Sequence, residues 1–408
     1  MITVFPSPPA TKFKCSCGGV LQLINNNLLW QGPHICIDVK CVNCGSEFYI
    51  DLPVGQGKVT PFVYNKYLHN VLGDNQTHWY AKLMTAFDNP VLKDVRVDVE
   101  KRKNKKQVLI LNTIDFCYGH SLLFLFNLNN ILDQLNGLGL VVIIQPMFRW
   151  LIPADDRITE VWTVHLSLSE GYNFYPVLSE KLNKEIQRFY RAYLSTAHLL
   201  PHEVDITKFT RVKPFEFGIT DFTPRITFIW REDAGRLWIK DRYTNFAIKK
   251  IGASAILRGI QMLRVKYFFF SLRKRLGNHY RFSIAGLGTY GRFSSFIEDV
   301  RVNKFDDENE KRTCQVYAES LLVIGIHGSS MILPSAHAGM ALSIMPAKRW
   351  GNYLEDLLVS EQDSRLAIFQ KRVLPMRLKM SELVDISVDM IKGRQMFSKK
   401  FLYSKEEL

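Results

Sequence analysis

The sequence predicts an α/β protein with two doubly wound domains and a small amino-terminal metal-binding module. Three observations lead to this prediction. Four cysteines fall in two close pairs before residue 45, apolar runs of strand length alternate with helical patterns up to about residue 200, and the alternation restarts after a proline-containing link at 200–222. With 408 residues and 47% hydrophobic residues, the chain is long enough to form two cores.

The amino-terminal module, residues 1–60, is predicted to be zinc-ribbon-like. Its expected ligands are Cys15, Cys17, Cys41 and Cys44, with glycine directly after each pair. Two thiolate pairs on facing tight turns make a tetrahedral sulfur site that suits zinc, and alternating runs at 20–23, 34–39 and 48–52 predict the surrounding strands. Free thiols in a small β unit are the alternative. A zinc with four sulfur ligands is structural, so no catalytic metal is expected.

Residues 61–215 are predicted to form the first α/β domain. In chain order, the patterns predict helices at 67–72 and 79–87, a strand at 107–112, a buried helix at 121–135, strands at 140–145 and 160–164, and an amphipathic helix at 178–197. The turn after the first of these strands contains Asp115 and His120.

Residues 216–370 are predicted to form the second α/β domain, and residues 371–408 a helical tail. The patterns predict strands at 225–230, 280–285, 321–326 and 341–346, with helices at 253–276 and 308–319. Two Rossmann-like halves in one chain are expected to face a cleft.

The turn His327-Gly328-Ser329-Ser330 lies between a buried strand and a short helical segment. Ligands of open α/β sheets bind at the carboxyl ends of the strands, and free N–H groups at a helix start suit an anion such as a diphosphate. The alternative is a serine-capped helix in which the histidine merely fills the turn.

The composition favours an anionic partner. Lysine and arginine number 53 against 39 acidic residues, giving a formal charge of +14, which fits nucleic acid, an anionic membrane surface or phosphorylated substrates. No recognised nucleic-acid module is present, and no apolar stretch approaches the roughly 20 residues of a membrane span. The first residues lack the form of a signal peptide, so we expect a cytoplasmic protein that binds peripherally to the inner face of a membrane.

Three short motifs follow predicted strands. VIGIHGSS at 323–330 is similar to a "strand, G-x-H-G-A/S" turn, IWREDAGR at 229–236 to an "S-R" strand end with a second arginine shortly after, and YGHSL at 118–122 to an "N-x-x-H-W/F" turn that opens a helix. With these motifs the chain resembles a GT-B glycosyltransferase, and most closely glycosyltransferase family 61, over residues 105–350.

The resemblance implies a GT-B-like α/β fold, with two Rossmann-like domains facing a cleft beside the zinc-ribbon module. It also implies inverting transfer of a sugar from a nucleotide-sugar donor to a glycan or lipid-linked acceptor. The chain departs from the family pattern at Ser343, where the family usually has an acidic residue associated with the nucleotide ribose. The zinc ribbon is a second departure.

The expected donor site uses arginines and the HGSS turn. Arg231 and Arg236 suit a diphosphate because guanidinium pairs with phosphate bidentately; an ion pair of Arg231 with Glu232 or Asp233 is the alternative. Backbone N–H groups at Gly328, Ser329 and Ser330 add donors, and His327 is expected to contact donor phosphate or sugar.

The acceptor base is expected to be Asp115 or His120, at the carboxyl end of a strand. For His120 the alternative is a helix-start residue satisfied by the backbone.

Two other functions compete with glycosyl transfer. A non-catalytic nucleotide-sugar or phosphate-binding protein is favoured by Ser343. A zinc-ribbon nucleic-acid-binding protein ranks last, because it leaves the strand-end motifs unexplained.

Overall fold

The structure is a computed structural model that describes residues 1–9, 13–72, 78–196, 204–217, 223–233, 237–239, 253–352 and 370–402. The chain divides into two compact units, Met1–Leu200 and Pro201–Leu408. The division falls in the proline-containing link. Each unit contains a parallel sheet, so the chain is a mixed α/β protein.

The first unit combines a mixed, mainly parallel sheet with an antiparallel ribbon sheet. Its strands are β1 (Ile2–Phe5), β2 (Leu21–Gln31), β3 (His34–Cys41), β4 (Glu47–Asp51), β5 (Val63–Asn65), β6 (Asn70–Leu72), β7 (Val97–Lys101), β8 (Gln107–Asn112), β9 (Gly139–Ile144), β10 (Ile158–Val164) and β11 (Arg191–Leu194), and its helices are α1 (His78–Asp88), α2 (Tyr118–Leu125), α3 (Asn127–Asp133) and α4 (Pro176–Ile186).

The parallel part of this sheet has the doubly wound strand order. The sheet reads β1-β11-β8-β9-β10-β7, in which β11, β8, β9 and β10 run parallel and the two edge strands are antiparallel. Strands β8 and β9 are buried almost throughout because layers cover both faces, which explains their continuous apolar sequences. Strand order reverses between β8 and β11, so a ligand crevice is expected at their carboxyl ends.

One predicted helix of this unit is wrong in part, and another does not form. The helix predicted at 178–197 ends at Ile186, and its last residues form β11. Ala192 and Leu194 point into the core from this strand, so pairing with β8 outweighs the helical pattern. The helix predicted at 67–72 is instead a turn followed by β6, because Asn65 Oδ1 accepts the N–H groups of Tyr67 and Leu68, both at 2.9 Å.

The buried helix predicted at 121–135 forms, with one interruption. Helix α2 begins at Tyr118 and α3 follows after Phe126. The Asn127 amide donates to the carbonyl oxygens of Leu123 and Phe124, both at 3.1 Å, and so competes with the regular backbone ladder.

The antiparallel ribbon sheet packs against α4 through its edge strand, β2. Its order is β2-β3-β4-β5-β6, all antiparallel. Asn183 of α4 accepts the Leu28 N–H at 2.9 Å and donates to the Leu28 carbonyl at 2.7 Å, while Ser179 accepts the Trp30 N–H at 3.0 Å. Side chains of the ribbon and of the parallel sheet share one buried cluster, so the module is part of the first unit's core.

The second unit is built on a six-stranded sheet that is parallel throughout. Its strands are β12 (Arg225–Trp230), β13 (Arg281–Gly286), β14 (Ile297–Asp299), β15 (Ser320–Ile326), β16 (Met340–Met345) and β17 (Lys371–Pro375), and its helices are α5 (Ile206–Thr210), α6 (Ala253–Leu276), α7 (Asp307–Ala318), α8 (Ile332–His337) and α9 (Met380–Leu402). The predicted strands and helices at 225–346 match these bounds to within one residue.

The order of this sheet, β14-β13-β12-β15-β16-β17, is that of a dinucleotide-binding Rossmann sheet. Counting β12 as the first strand gives 3-2-1-4-5-6. The predicted helical tail contributes its first residues to the sheet, because β17 pairs with β16 before α9 begins. The reversal of strand order lies between β12 and β15.

Buried polar groups fix the pairing of the central strands. Thr227 Oγ1 lies 2.8 Å from Ser283 Oγ and 2.7 Å from Ser320 Oγ, which links β12 to both neighbours. At the amino end of β12, the buried Arg225 pairs with Glu298 at 2.9 Å and Glu319 at 2.8 Å. A slip of one residue would leave these groups unpaired in the core, so the register is strongly specified.

No helix in the described ranges is long and apolar enough to cross a membrane.

We expect Asn183→Ala to lower the free energy of unfolding by about 2–4 kcal/mol, because it leaves the buried N–H and C=O of Leu28 without partners. Ser179→Ala removes one such bond and should cost about 1 kcal/mol. Urea unfolding measures both, with Lys184→Ala on the exposed face of α4 as control. An unchanged midpoint for Asn183→Ala would show that the ribbon does not depend on this helix.

Candidate functional site

Arg231 and the HGSS turn meet where the strand order of the second unit reverses. Arg231 directly follows β12, and His327 directly follows β15, its neighbour in the sheet. The helices after these strands leave toward opposite faces in a doubly wound sheet, which opens a crevice at this edge. The sequence therefore placed both motifs at the edge where such sheets bind ligands.

The guanidinium of Arg231 is held by two partners. Nη1 donates to Ser330 Oγ at 3.2 Å, and Nε and Nη2 donate to the two carboxylate oxygens of Asp233 at 2.8 and 3.0 Å. Gln261 fixes the backbone by donating to the Arg231 carbonyl at 2.8 Å. The ion pair expected as an alternative thus forms with Asp233, and the guanidinium still reaches the HGSS turn. The side chain keeps 23% of its surface exposed.

The HGSS turn departs from a serine-capped helix. Gly328 has φ = +146°, a conformation that favours glycine, and its carbonyl accepts the Met331 N–H at 2.7 Å. No side chain caps the 3-10 turn Ser329–Met331 or α8. Because α8 has only six residues, its dipole is small and would add little to anion binding at this turn.

His327 follows β15 in the predicted turn, but its side chain is closed off from solvent. Its side chain is fully buried, and its N–H donates to the Ile344 carbonyl at 2.9 Å. The half-buried Ser329 and Ser330 are the residues of this turn that solvent reaches. Arg236, the second arginine predicted for this site, lies outside the described residues.

Ser343 lies inside the sheet. It pairs with Gly325 in the middle of β16 and has no exposed surface, and its Oγ has no hydrogen-bond partner in the described part of the chain. A carboxylate at this position would be desolvated by both neighbouring strands.

Sequence analysis missed a role for Glu232 beyond pairing with its neighbour. Its Oε1 accepts the Trp230 indole N–H at 3.0 Å and the Tyr290 N–H at 2.7 Å, and Arg258 lies 3.4 Å from Oε2. Burial raises the pKa of this carboxyl, but the Tyr290 N–H, the Trp230 indole and Arg258 outweigh it, so the net pKa is below the ordinary value. A charged Glu232 ties the loop after β12 to the loop after β13.

In the first unit, Asp115 and His120 form a pair at the carboxyl end of β8. His120 Nδ1 lies 3.2 Å from Asp115 Oδ2, and Asp115 Oδ1 accepts the Cys117 N–H at 2.7 Å. Gln145, which follows β9, accepts the Asp115 N–H at 3.3 Å. Sequence analysis missed this support from the neighbouring strand, because a lone glutamine carries no signal of its partner.

Exposure separates the two candidate bases. The Asp115 side chain has no exposed surface, whereas the His120 side chain is 30% exposed. Asp115 therefore cannot contact a substrate in this conformation, and its carboxylate orients the imidazole instead. Of the two candidate bases, His120 is therefore the one whose side chain an acceptor could reach.

The four amino-terminal cysteines form one cluster. All four Sγ atoms lie within 4.8 Å of one another, with Cys15–Cys44 and Cys17–Cys41 distances of 3.5 Å. Zn–S bonds of about 2.3 Å in a tetrahedron give sulfur–sulfur distances of about 3.8 Å, so the cluster fits a metal of that size. The predicted four residues thus meet in space at the end of the ribbon sheet.

Glycines make the two tight turns of the cluster. Gly18 donates its N–H to the Cys15 carbonyl at 2.8 Å, and Gly45 does the same to Cys41 at 3.0 Å. Both have positive φ, 76° and 74°. A Cβ on Gly19 would lie 2.6 Å from Cys41 Sγ, so only glycine allows the first turn to approach the second.

The thiols influence one another's ionisation. The Ser46 hydroxyl, its backbone and the neighbouring thiols lower the pKa of Cys44 to about 6. The Gly19 N–H lowers the pKa of Cys17, but its three thiol neighbours outweigh this and raise it to about 12. Four thiolates this close repel one another, and a divalent cation with a preference for sulfur removes that repulsion.

The ribbon sheet also borders a cavity of about 630 Å³. Its lining is mainly apolar, including Phe13, Ile37 and Ile50, with the carboxyl of Asp51 as its charged group. Asp51 Oδ2 lies 2.7 Å from His34 Nδ1. None of the residues predicted for catalysis or donor binding lines this cavity.

Comparisons with family models, curated proteins and solved structures find no match.

We expect the purified chain to carry about one structural metal ion, with zinc favoured by its preference for thiolates. Cys17→Ser and Cys44→Ser, which change the two exposed members of the cluster, should lose the metal and lower the melting temperature. Elemental analysis of protein purified without added zinc gives the ratio, and Cys117→Ser, outside the cluster, should keep the parent value. A ratio near zero in folded protein would contradict the assignment.

Proposed function

We propose that this protein is a glycosyltransferase that moves a sugar from a nucleotide-sugar donor to a glycan or lipid-linked acceptor. The contact between Arg231 and Ser330, at the point where a 3-2-1-4-5-6 parallel sheet reverses its strand order, is the observation that carries the proposal. A nucleotide diphosphate is the ligand class that suits this edge, because a guanidinium reaches the HGSS turn there and pairs with phosphate bidentately.

The donor site would act on the leaving group. Negative charge develops on the departing diphosphate during transfer, and fixed hydrogen-bond donors aimed at it lower the barrier. Arg231 is held at its backbone by Gln261 and at its side chain by Ser330 and Asp233, so the guanidinium is already at this edge before a donor binds. With these donors the reaction requires no catalytic metal.

The acceptor site would use His120 as the base. Its imidazole would accept the proton of the attacking hydroxyl, and Asp115 would stabilise the imidazolium that forms. Transfer requires that this pair and the donor site of the other unit act on the same substrates, as in a GT-B arrangement. The stereochemical outcome we propose is inversion, by a single displacement at the anomeric carbon.

A non-catalytic nucleotide-sugar or phosphate-binding protein is the second candidate. Ser343 favours it, because the residue lacks the carboxylate that a nucleotide ribose would contact and is fully buried. Such a protein would bind nucleoside diphosphates without consuming a nucleotide sugar.

The two functions and the donor site are tested by titrating nucleoside diphosphates calorimetrically and by assaying donor hydrolysis and transfer. We expect Arg231→Ala to reduce turnover by about 100-fold or more, because it removes a preorganised cation at the leaving group. Arg231→Lys should recover little, since an ammonium lacks the bidentate geometry. Arg312→Ala, on the exposed face of α7, makes the same charge change away from this edge and should match the parent.

In the same assays, His120→Ala and Asp115→Asn should keep diphosphate affinity and lose transfer. Parent-like binding by Arg231→Ala would place the donor site elsewhere. Tight diphosphate binding without donor turnover, across a panel of nucleotide sugars, would replace the transferase with the second candidate.

A further inference from the structure

Helix α6 carries an apolar stripe on its solvent-facing side. Ile256, Ile260, Leu263, Tyr267 and Phe270 are each between 41% and 66% exposed. Their spacing of four, three, four and three residues places them on one face of the helix, over a length of about 21 Å at 1.5 Å per residue. Exposed apolar surface arranged in this continuous way marks an interaction site.

The opposite face of α6 packs in the hydrophobic core of the second unit. Val265, Phe268, Phe269 and Leu272 are fully buried against the parallel sheet. The helix is therefore stably placed without the stripe, and the stripe is not needed to hold the described part of the second unit together.

Positive charge borders the stripe on both sides. Helix α6 contains six basic residues and no acidic one. On a helical wheel of 100° per residue, Arg264 and Arg275 fall on one border, and Lys266 and Arg273 on the other. Aromatic rings hold several of these cations in place: Arg264 lies 4.7 Å from the Trp238 ring and Arg273 lies 4.7 Å from the Phe296 ring.

We propose that α6 is the element by which this protein binds an anionic lipid bilayer, lying flat in the interface with the stripe inserted among the lipids. An apolar face bordered by lysine and arginine is the composition of helices that bind at this depth, and each cation near an anionic surface adds attraction. The six cations prevent the helix from crossing the bilayer.

Charge favours a lipid surface over a second copy of the chain. The four-three spacing would suit a coiled coil, but the positions bordering its seam are then all basic or uncharged. Like charges would face one another in a homodimer. The neighbouring α9 supplies one compensating acid, since Asp385 pairs with Arg275 at 2.8 Å, and the border remains basic.

This inference does not rest on the proposed transfer reaction, because it concerns binding of the whole chain to lipid. It deepens the expectation of an anionic membrane partner, which came from net charge alone, by assigning the contact to one helix. If both proposals hold, the donor site and the lipid-binding helix belong to the same unit.

The test is cosedimentation of the full chain with vesicles of phosphatidylcholine alone or mixed with phosphatidylglycerol. The parent should bind the mixed vesicles, and the double variant Leu263→Asn, Tyr267→Asn should bind them at least about tenfold more weakly, because two inserted apolar side chains become polar. The matched control is Leu92→Asn, Tyr190→Asn, which changes the same residue types at exposed positions of the first unit and should bind like the parent.

Two further variants separate lipid contact from a folding defect, one at the apolar side chains and one at a cation. Leu263→Phe, Tyr267→Phe keeps the stripe apolar and should keep vesicle binding, while Lys274→Gln should weaken binding to the anionic vesicles by about fivefold.

Three results would overturn the proposal. The first is no binding of the parent to anionic vesicles at low salt, and the second is binding of the asparagine variant as tight as that of the parent. The third is a concentration-dependent dimer in size-exclusion chromatography that the asparagine variant abolishes, which would assign the stripe to a second copy. A lower melting temperature for that variant with unchanged vesicle binding would show that another segment of the chain covers the stripe.

Discussion

Parallel pairing of β12 with β15 is the constraint on which the candidate donor site depends. Their register pairs Ile229 with Gly325, so both strands end at the same level of the sheet. The absence of a side chain at Gly325 lets Ile229 and Met331 close over the strand, since a Cβ there would lie 2.5 Å from Met331 Sδ. This packing sets the turn that carries Ser330 within reach of Arg231. Groups 99 positions apart in sequence therefore meet through backbone geometry.

Most of the second unit could be predicted because its signals are local. Strands buried on both faces have continuous apolar sequences, and the long α6 ends just before Gly277, whose φ of +82° suits glycine after a helix. The cysteine cluster could also be predicted from the sequence, because each pair of ligands lies within one turn. The convergence of Arg231 and Ser330 could also be predicted, because both lie at the carboxyl ends of strands in the same sheet.

Two of the failures share a physical cause, which is long-range pairing that overrides local preference, whereas the failed helix at 67–72 has a local cause in the Asn65 side chain. Residues 191–194 form β11 only because β8 offers an open edge, and residues 371–375 form β17 only beside β16. Sequence also could not show that Asp115 is buried and His120 exposed, since both follow the same strand. The support given by Gln145 and the loop contacts of Glu232 depend on neighbours that are distant in the chain.

The bidentate pair of Arg231 and Asp233 has a consequence for selectivity. Asp233 already occupies two donors of the guanidinium, with its oxygens at 2.8 and 3.0 Å. An anion that binds the same two N–H groups would have to displace this carboxylate, and a monovalent ion such as chloride or acetate offers no more charge than the group it would replace. A diphosphate would offer more charge, and the displaced Asp233 side chain, which is already 51% exposed, would stay in water. In the proposed donor site the aspartate would therefore favour polyvalent anions over monovalent ones, and it would hold the arginine in place when no donor is bound.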